Sequence, residues 1–352
     1  MKDLLMARGA RTLLDTCVAA KPGETVLIVT DMVKFAIARV IAAAAVEREA
    51  ETIVTVMQPR ARAGQEPPTP VAEAMKMADI VFLPVSYSVT HTHAVKNAAA
   101  AGARIIALTE FTEEMMIHGG LEADFNELKP ICQKVAERFG KGTRARITTP
   151  EGTDLTMDIA GRPGNALYCI VGPGQFSPVP NVEANVSPIE GTANGRIVVD
   201  ASIPYLGIGL IEQPIHVEVR NGFITRIEGG RQAEVLRQDL ESHSDKNSFN
   251  IAELGVGLNP KCKMIGLMLE DEGVLGSAHI GVGTNITLGG TIKAPCHYDL
   301  LVWHPRIEID GEVVIDGKEV LVWQDDEKPV FAQAAQKGRD ARRRAMRGAR
   351  RT

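Results

Sequence analysis

Two residue types that commonly bind metals lie two positions apart near the end of the chain. His297 and Asp299 follow Cys296, and a glycine-rich stretch separates them from an earlier histidine, His279. Alternate side chains of a β-strand point to the same side, so a strand here would direct the imidazole and the carboxylate to one point. Such a pair is typical of sites for zinc, manganese, cobalt or Fe(II). A histidine that is bonded to a structural aspartate would have the same spacing.

Two glutamates in the second half of the chain are candidates for further ligands. Glu183 and Glu253 lie among apolar and small residues, in segments 182–191 and 252–260. A buried carboxylate must be paired, protonated or bound to a cation, because burying a bare charge is costly. The sequence therefore predicts donors for one or two divalent ions. The five candidate metal ligands are Glu183, Glu253, His279, His297 and Asp299.

Two histidines of the first half are candidates for substrate contacts. His91 and His93 follow the predicted strand 79–84, and open α/β sheets place their binding sites at the carboxyl ends of strands. The prediction is that they contact a substrate across the domain interface. A solvent-exposed pair of loop histidines is the alternative.

The first half of the chain must supply one wall of such a cleft. Short β-branched runs at 24–30, 52–57, 79–84 and 103–108 alternate with segments of helical length. This alternation predicts a mostly parallel sheet that helices cover on both faces. No G-x-G-x-x-G motif opens the first helix, so a dinucleotide site is disfavoured. We therefore predict a Rossmann-like α/β domain over residues 1–142.

The second half has a different pattern of elements. After Gly140, short strands follow one another between turns, and Asn221-Gly222 lies between two β-rich runs. This dipeptide favours a hairpin, because it accepts the positive φ angles of a type I′ turn. We predict an α+β domain over residues 143–330 that is rich in antiparallel strands and carries the metal site.

Composition limits the class of protein. The 352 residues suit two domains, and the net charge of −5 and aromatic content of 4% do not favour a nucleic-acid-binding domain. A basic tail is predicted at 331–352, where seven arginines lie. The five cysteines are odd in number and lack C-x-x-C spacing, which favours a reducing cytoplasm. We see neither a signal peptide nor an apolar run that could cross a membrane, so no membrane partner is expected.

The second half resembles the thermophilic-type metallo-aminopeptidases, the aminopeptidase T and S family. The matching segments are 182–183, 187–191 with 195–199, 253–257, 274–283 and 297–299, together with 21–28 in the first half. The resemblance implies a homodimeric hydrolase in which metal-activated water attacks a peptide or amide carbonyl. It also implies that Glu183 or Glu253 bridges two ions or accepts a proton. Ile286 replaces a tyrosine that this family has at its metal centre.

The same superfamily contains the 2,5-dihydroxypyridine 5,6-dioxygenases, which give the alternative prediction. They resemble this chain in segments 257–260 and 296–299. The resemblance implies one Fe(II) held by two histidines and one carboxylate. Their first histidine aligns with Glu253, so the sequence keeps only His297 and Asp299 of that set. Our primary prediction is therefore the hydrolase, with zinc, cobalt or manganese and a small-molecule or short-peptide substrate.

Overall fold

The computed structural model describes residues 1–323, in which eight α-helices and twenty β-strands are formed. The basic tail predicted at 331–352 lies outside the described residues. The helices are α1 (Lys2–Arg11), α2 (Phe35–Glu47), α3 (Thr69–Met77), α4 (His93–Ala100), α5 (Glu113–Ile117), α6 (Phe125–Lys141), α7 (Arg231–Ser242) and α8 (Met268–Asp271). The strands are β1 (Thr25–Asp31), β2 (Glu51–Met57), β3 (Ile80–Leu83), β4 (Arg104–Ala107), β5 (Arg144–Thr148), β6 (Asp154–Asp158), β7 (Gly164–Leu167), β8 (Phe176–Pro178), β9 (Glu183–Val186), β10 (Asn194–Val199), β11 (Ser202–Ile203), β12 (Gly209–Leu210), β13 (Ile215–Arg220), β14 (Phe223–Glu228), β15 (Ile251–Gly257), β16 (Ser277–Gly283), β17 (His297–Trp303), β18 (Arg306–Ile309), β19 (Glu312–Asp316) and β20 (Glu319–Val320).

A five-stranded parallel sheet forms the centre of the first half, in the order β2-β1-β3-β4-β8. Successive residues of β1 alternate between two apolar cores, one on each face of the sheet. Helices α1, α2 and α6 pack into one core, and α3 and α4 pack into the other. Parallel strands that are buried on both faces need this double cover. The predicted α/β architecture of the first half is confirmed.

One strand of the parallel sheet comes from later in the chain than the predicted first domain. β8 pairs with β4 at the edge of the sheet, although it lies after residue 142. The chain therefore returns to the first sheet before it enters β9. The domain boundaries 1–142 and 143–330 stay a prediction.

The second half is built from antiparallel sheets, as predicted. Eight strands form one sheet in the order β14-β13-β10-β6-β5-β18-β19-β20. The hairpin between β13 and β14 turns at Asn221 and Gly222, whose φ angles are 51° and 80°. Positive φ at both positions is what a type I′ turn requires, which is why this dipeptide predicted the hairpin.

A second antiparallel sheet has the order β17-β16-β15-β9-β7 and carries the predicted metal ligands. All residues of β9, β15 and β16 are buried. Polar side chains on these strands therefore have to find partners inside the protein.

Two further observations concern the helices. α6 begins at Phe125 and has Pro130 in its interior, beyond the first turn. Proline there leaves one backbone hydrogen bond of the helix unmade. Among the described residues, none of the helices is both long enough and apolar enough to span a bilayer.

Candidate metal centre

Three neighbouring strands bring four of the predicted ligands to one face of the five-stranded sheet. Glu253 of β15 lies opposite Gly281 of β16, and Gly281 lies opposite Asp299 of β17. Residues that lie directly opposite in a sheet point to the same side. His279 and His297 are each an even number of positions from these residues along their own strands, so they share that face.

The strand β9 adds the fifth predicted ligand. Glu183 pairs with Gly257, which lies on the same side of β15 as Glu253. The structure therefore gathers all five predicted ligands in one cluster. Four of them are buried, and His297 is partly exposed.

Glycine at two positions makes room for the donor groups. A Cβ atom on Gly281 would lie 2.6 Å from Cβ of Glu253, 2.9 Å from Cε1 of His297 and 3.1 Å from Oδ1 of Asp299. On Gly255, a Cβ atom would lie 1.9 Å from Nε2 of His279. Any side chain at either position would displace the donors, so the cluster requires glycine there.

The donor atoms form two groups that share Glu253. In the first, Nε2 of His279 is 3.6 Å from Oε2 of Glu183 and 3.6 Å from Oε1 of Glu253. In the second, Nε2 of His297 is 3.0 Å from Oε2 of Glu253 and 3.5 Å from Oδ1 of Asp299. All donor atoms of a group lie within 4.8 Å of one another, as ligands of one divalent ion do.

Hydrogen bonds from outside the groups orient the donors. Nδ1 of His297 is 2.8 Å from the backbone oxygen of Thr284, so a neutral ring donates through Nδ1 and keeps the Nε2 lone pair for a metal. The side chains of Asn181 and Asn185 donate to the two oxygens of Glu183 at 2.8 and 2.7 Å. Metal-binding side chains are commonly fixed by partners of this kind.

Two buried polar atoms of the cluster have no hydrogen-bond partner, Oδ1 of Asp299 and Nδ1 of His279. An unpaired buried polar atom costs about 1–3 kcal/mol. A metal ion that is coordinated by Oδ1 of Asp299 would remove that cost. The chemistry of the donors and this oxygen without a hydrogen-bond partner both fit a divalent cation.

The charges inside the cluster shift the pKa values of its members. Burial raises the pKa of Glu183, and the charge of His279 opposes this only in part. Burial also disfavours ionised Glu253, but hydrogen bonds with His279 and His297 outweigh it and lower its pKa. Despite their burial, the carboxylates raise the pKa of His279 to about 9 and that of His297 well above its usual value. Each histidine thus holds a proton at the place where a metal ion would neutralise the carboxylates.

Two neighbours of the cluster were missed from the sequence. Glu272 follows α8, is buried, and lies beside Tyr205, whose hydroxyl contacts Asp299. The only sequence signal was the acidic run that ends at Glu272, and Tyr205 had none.

The histidines of the first half occupy different positions. His91 is exposed, but desolvation by the surrounding protein lowers its pKa. The positive charge of His297 lowers this pKa further, which indicates that His91 lies near the rim of the metal centre. His93 begins α4, where its backbone N–H donates to Glu66 at 2.6 Å. Their contact with a substrate stays a prediction.

Fold and site together define a class of protein, with an α/β first half and an antiparallel second half that gathers histidines and carboxylates. A family model described as NicX, 2,5-dihydroxypyridine 5,6-dioxygenase, matches residues 6–322. The chain therefore belongs to this dioxygenase family, within the superfamily that the sequence indicated.

One curated protein is similar in sequence, and two solved structures are similar in fold. The 2,5-dihydroxypyridine 5,6-dioxygenase of Pseudomonas putida KT2440 is 26% identical over 200 residues, which span 53% of this chain and 57% of that protein. The solved structure of the 2,5-dihydroxypyridine dioxygenase from the same strain has a TM-score of 0.78 at 19% identity, and the match covers 93% of this chain and 99% of the other. Wild-type AmpT from Thermus thermophilus has a TM-score of 0.64 at 14% identity, with coverages of 90% and 99%. At these identities, the two structures show the shared fold alone.

The primary prediction of an aminopeptidase-like hydrolase is wrong. Both the family model and the curated relative are dioxygenases, which favours the alternative prediction. The structure also gives a physical reason. Ile286, at the position where the aminopeptidases have a tyrosine, is 50% exposed and offers no hydroxyl to the metal centre. The glutamates that suggested hydrolysis lie in the two donor groups, and their presence does not distinguish the two chemistries.

Proposed function

We propose that this protein is a metal-dependent dioxygenase that opens the ring of a hydroxylated pyridine, with 2,5-dihydroxypyridine as the first candidate. The observation that carries the proposal is the group Glu253, His297 and Asp299, in a chain that matches the dioxygenase family over residues 6–322. A small molecule thus replaces a short peptide as the proposed substrate.

Iron is the proposed metal, held by Glu253, His297 and Asp299. Nitrogen and oxygen donors suit Fe(II) as well as zinc, cobalt and manganese, and Fe(II), when bound, supplies the redox chemistry that lets dioxygen react with an aromatic ring. The set differs from the triad of two histidines and one carboxylate, because His279 belongs to the other group, with Glu183. A second ion in that group would share Glu253.

The protein's own residues have three proposed tasks in this reaction. The hydrogen bond between His297 and the Thr284 carbonyl keeps the ligating nitrogen directed at the metal position. Gly281 leaves room for the side chains of Glu253, His297 and Asp299 to approach one another. At the rim, the lowered pKa of His91 keeps its ring neutral at neutral pH, suited to a hydrogen bond with a substrate hydroxyl. The contact of His93, the role of Glu183 and Glu253 as proton acceptors, and the homodimer remain predictions.

Oxygen consumption tests the proposal directly. Purified protein is freed of metal, loaded without oxygen with Fe(II), Mn(II) or Zn(II), and mixed with 2,5-dihydroxypyridine in aerated buffer. We expect Fe(II) alone to support uptake of one O2 per substrate, with loss of the aromatic absorbance. His297→Ala should abolish uptake, whereas His118→Ala, which removes an exposed histidine of the first half, should not.

The metal content of the loaded protein completes the experiment. One iron per chain would indicate that one of the two donor groups is filled, and two would indicate that both are filled. If the loaded protein consumes no oxygen with 2,5-dihydroxypyridine or related hydroxypyridines, the proposed activity is excluded.

A further inference from the structure

A tyrosine and a glutamate form a chain of contacts behind one of the proposed ligands. Tyr205 lies in the loop between β11 and β12, and its hydroxyl oxygen is 2.9 Å from Oδ2 of Asp299 and 3.0 Å from Oε1 of Glu272. Its ring packs against Tyr298 at a centroid distance of 5.4 Å. Neither Tyr205 nor Glu272 belongs to the two donor groups.

The hydrogen atoms in this chain can be counted. A phenol hydroxyl carries one hydrogen, so Tyr205 can donate to only one of its two carboxyl neighbours. Asp299 is a proposed metal ligand, and a carboxylate binds a metal in its ionised form, which can only accept hydrogen bonds. Asp299 therefore accepts the hydrogen of Tyr205. The contact between Tyr205 and Glu272 then needs a hydrogen from Glu272.

The surroundings of Glu272 agree with this assignment. Its other oxygen, Oε2, lies 3.2 Å from Nδ2 of Asn181, which can only donate, so Oε1 is the oxygen that bears the hydrogen. Burial raises the pKa of Glu272 well above its usual value, and the negative charges of Asp299 and Glu183 add to the effect.

We propose that Tyr205 and a neutral Glu272 are positioning residues, which hold Asp299 as a ligand that coordinates through one oxygen. Glu272 donates to Tyr205, and Tyr205 donates to Oδ2 of Asp299. Oδ1, which has no hydrogen-bond partner, is left as the atom that faces the metal position. This inference rests on the proposed metal centre. We call Tyr205 and Glu272 together the brace of Asp299.

Metal affinity, measured without substrate, tests the brace. Tyr205→Phe removes one hydroxyl and frees Oδ2 of Asp299, and we expect Co(II) and Fe(II) to bind about 10–100-fold more weakly. The Co(II) absorption spectrum should also change, because Asp299 can then offer both oxygens to the ion. Tyr168→Phe is the matched control, since Tyr168 lies outside the donor groups and its ring contact with Lys129 does not need the hydroxyl. We expect it to keep wild-type affinity and spectrum.

Two substitutions of Glu272 test the position of the hydrogen. Glu272→Gln places an N–H where the neutral acid has its O–H and keeps an oxygen for Asn181, so affinity should stay within about twofold of wild type. Glu272→Ala removes both contacts and should weaken binding about tenfold. The brace is overturned if Tyr205→Phe binds metal as tightly as wild type, or if Glu272→Gln is as weak as Glu272→Ala. Wild-type protein that binds neither ion would overturn the metal centre together with the brace, whereas the first two results leave the metal centre standing.

Discussion

Two buried carboxylates show that the two halves of the molecule use the same group in different ways. Asp31, at the end of β1, is 1% exposed, and Asp299, in β17, is 3% exposed. Asp31 accepts hydrogen bonds from three backbone N–H groups and one hydroxyl at 2.7–3.2 Å. Asp299 accepts one hydrogen bond from Tyr205, and its other oxygen has no hydrogen-bond partner and lies 3.5 Å from Nε2 of His297.

The difference lies in what compensates the charge. Neutral donors in the loops compensate the charge of Asp31, so this carboxylate has a structural role and joins the loops to each other. Around Asp299 the neighbours are themselves ionisable, and the histidines must take up protons to balance the carboxylates. Burial alone therefore does not identify a functional carboxylate. What sets Asp299 apart is Oδ1, which has no hydrogen-bond partner and can therefore bind a cation.

The largest effect is expected from Glu253→Gln. Glu253 is the member shared by both donor groups, so its loss removes one ligand from each. We expect metal affinity to fall by more than about a hundredfold, since even partners that only support ligands cost 10–100-fold. Titration against a chelator of known affinity measures this. Glu212→Gln, at an exposed position, is the control, and unchanged affinity of Glu253→Gln would show that Glu253 is not a ligand.

A second prediction compares stability in the two halves of the metal-free protein. Asp31→Asn should lower the free energy of unfolding by about 2 kcal/mol, because the new amide turns a donor towards the N–H of Ser86. Metal affinity of the folded protein should not change. Urea denaturation measures the loss, and a variant as stable as wild type would contradict the structural role of Asp31.

Unlike Asp31→Asn, Glu272→Gln should not lower the free energy of unfolding in the same urea denaturation experiment. The pKa of Glu272 is raised in the folded protein, chiefly by burial, so folding takes up a proton and wild-type stability falls as the pH rises above the unfolded pKa. Glutamine is neutral in both states and avoids this loss. At pH 8 the variant should therefore be at least as stable as wild type. A clear loss of stability would show that the folded protein needs the charge.

Local sequence patterns predicted the parts of the fold that depend on near neighbours. The Asn221-Gly222 turn, the alternation of strands and helices in the first half, and the common face of His297 and Asp299 follow from backbone geometry. Tyr205 and Glu272 could not be found in this way. Tyr205 reaches Asp299 across 94 positions in sequence, through a loop between two-residue strands. The three acids at 270–272 are indistinguishable in sequence and all are buried. Glu270 and Asp271 accept hydrogen bonds from loop backbone, whereas Glu272 contacts Tyr205.

The residues of the site also could not decide between the two predicted reactions. The donors of the centre suit both a hydrolase and an oxygenase, because nitrogen and oxygen ligands bind several divalent metals. Glu253 favoured the hydrolase, and family membership corrected it. Residue types thus predicted that metal donors meet here, but not which reaction they serve.

A smaller loss of metal affinity is expected where the donor side chains need a glycine beside them. Gly281→Ala adds a methyl group that would lie 2.6 Å from Cβ of Glu253 and 2.9 Å from Cε1 of His297, so these groups must shift. We expect metal affinity to fall about tenfold, which corresponds to about 1.4 kcal/mol. Gly172→Ala is the control, because its nearest neighbour, Oε1 of Gln175, would be 3.5 Å away. Equal metal affinities of the two variants would show that the donor side chains do not need glycine at position 281.

The smallest effect concerns Glu190, a carboxylate near the centre that has fixed donors, as Asp31 has, and also an arginine partner. Glu190 pairs with Arg162 and accepts from Asn285 at 2.9 Å and from the backbone of Thr291 at 2.7 Å. These bonds fix the loop between β16 and β17, which carries the Thr284 carbonyl that holds His297. Burial would raise the pKa of Glu190, but the hydrogen bonds, led by that from Thr291, lower it from 4.5 to about 2.

The sign of the pH effect follows from this lowered pKa. A carboxylate with a lower pKa in the folded protein stabilises it above the unfolded pKa, and the contribution is lost as the pH falls from 4.5 towards 2. Glu190→Gln should therefore be about 1 kcal/mol less stable than wild type at pH 7, and the difference should shrink below pH 4.5. Urea denaturation of both proteins across this range measures it, with Glu212→Gln as the exposed control. A difference in stability that stays constant with pH would mean that Glu190 stabilises the protein through packing. Its charge would then not have the structural role that we assign to the charge of Asp31.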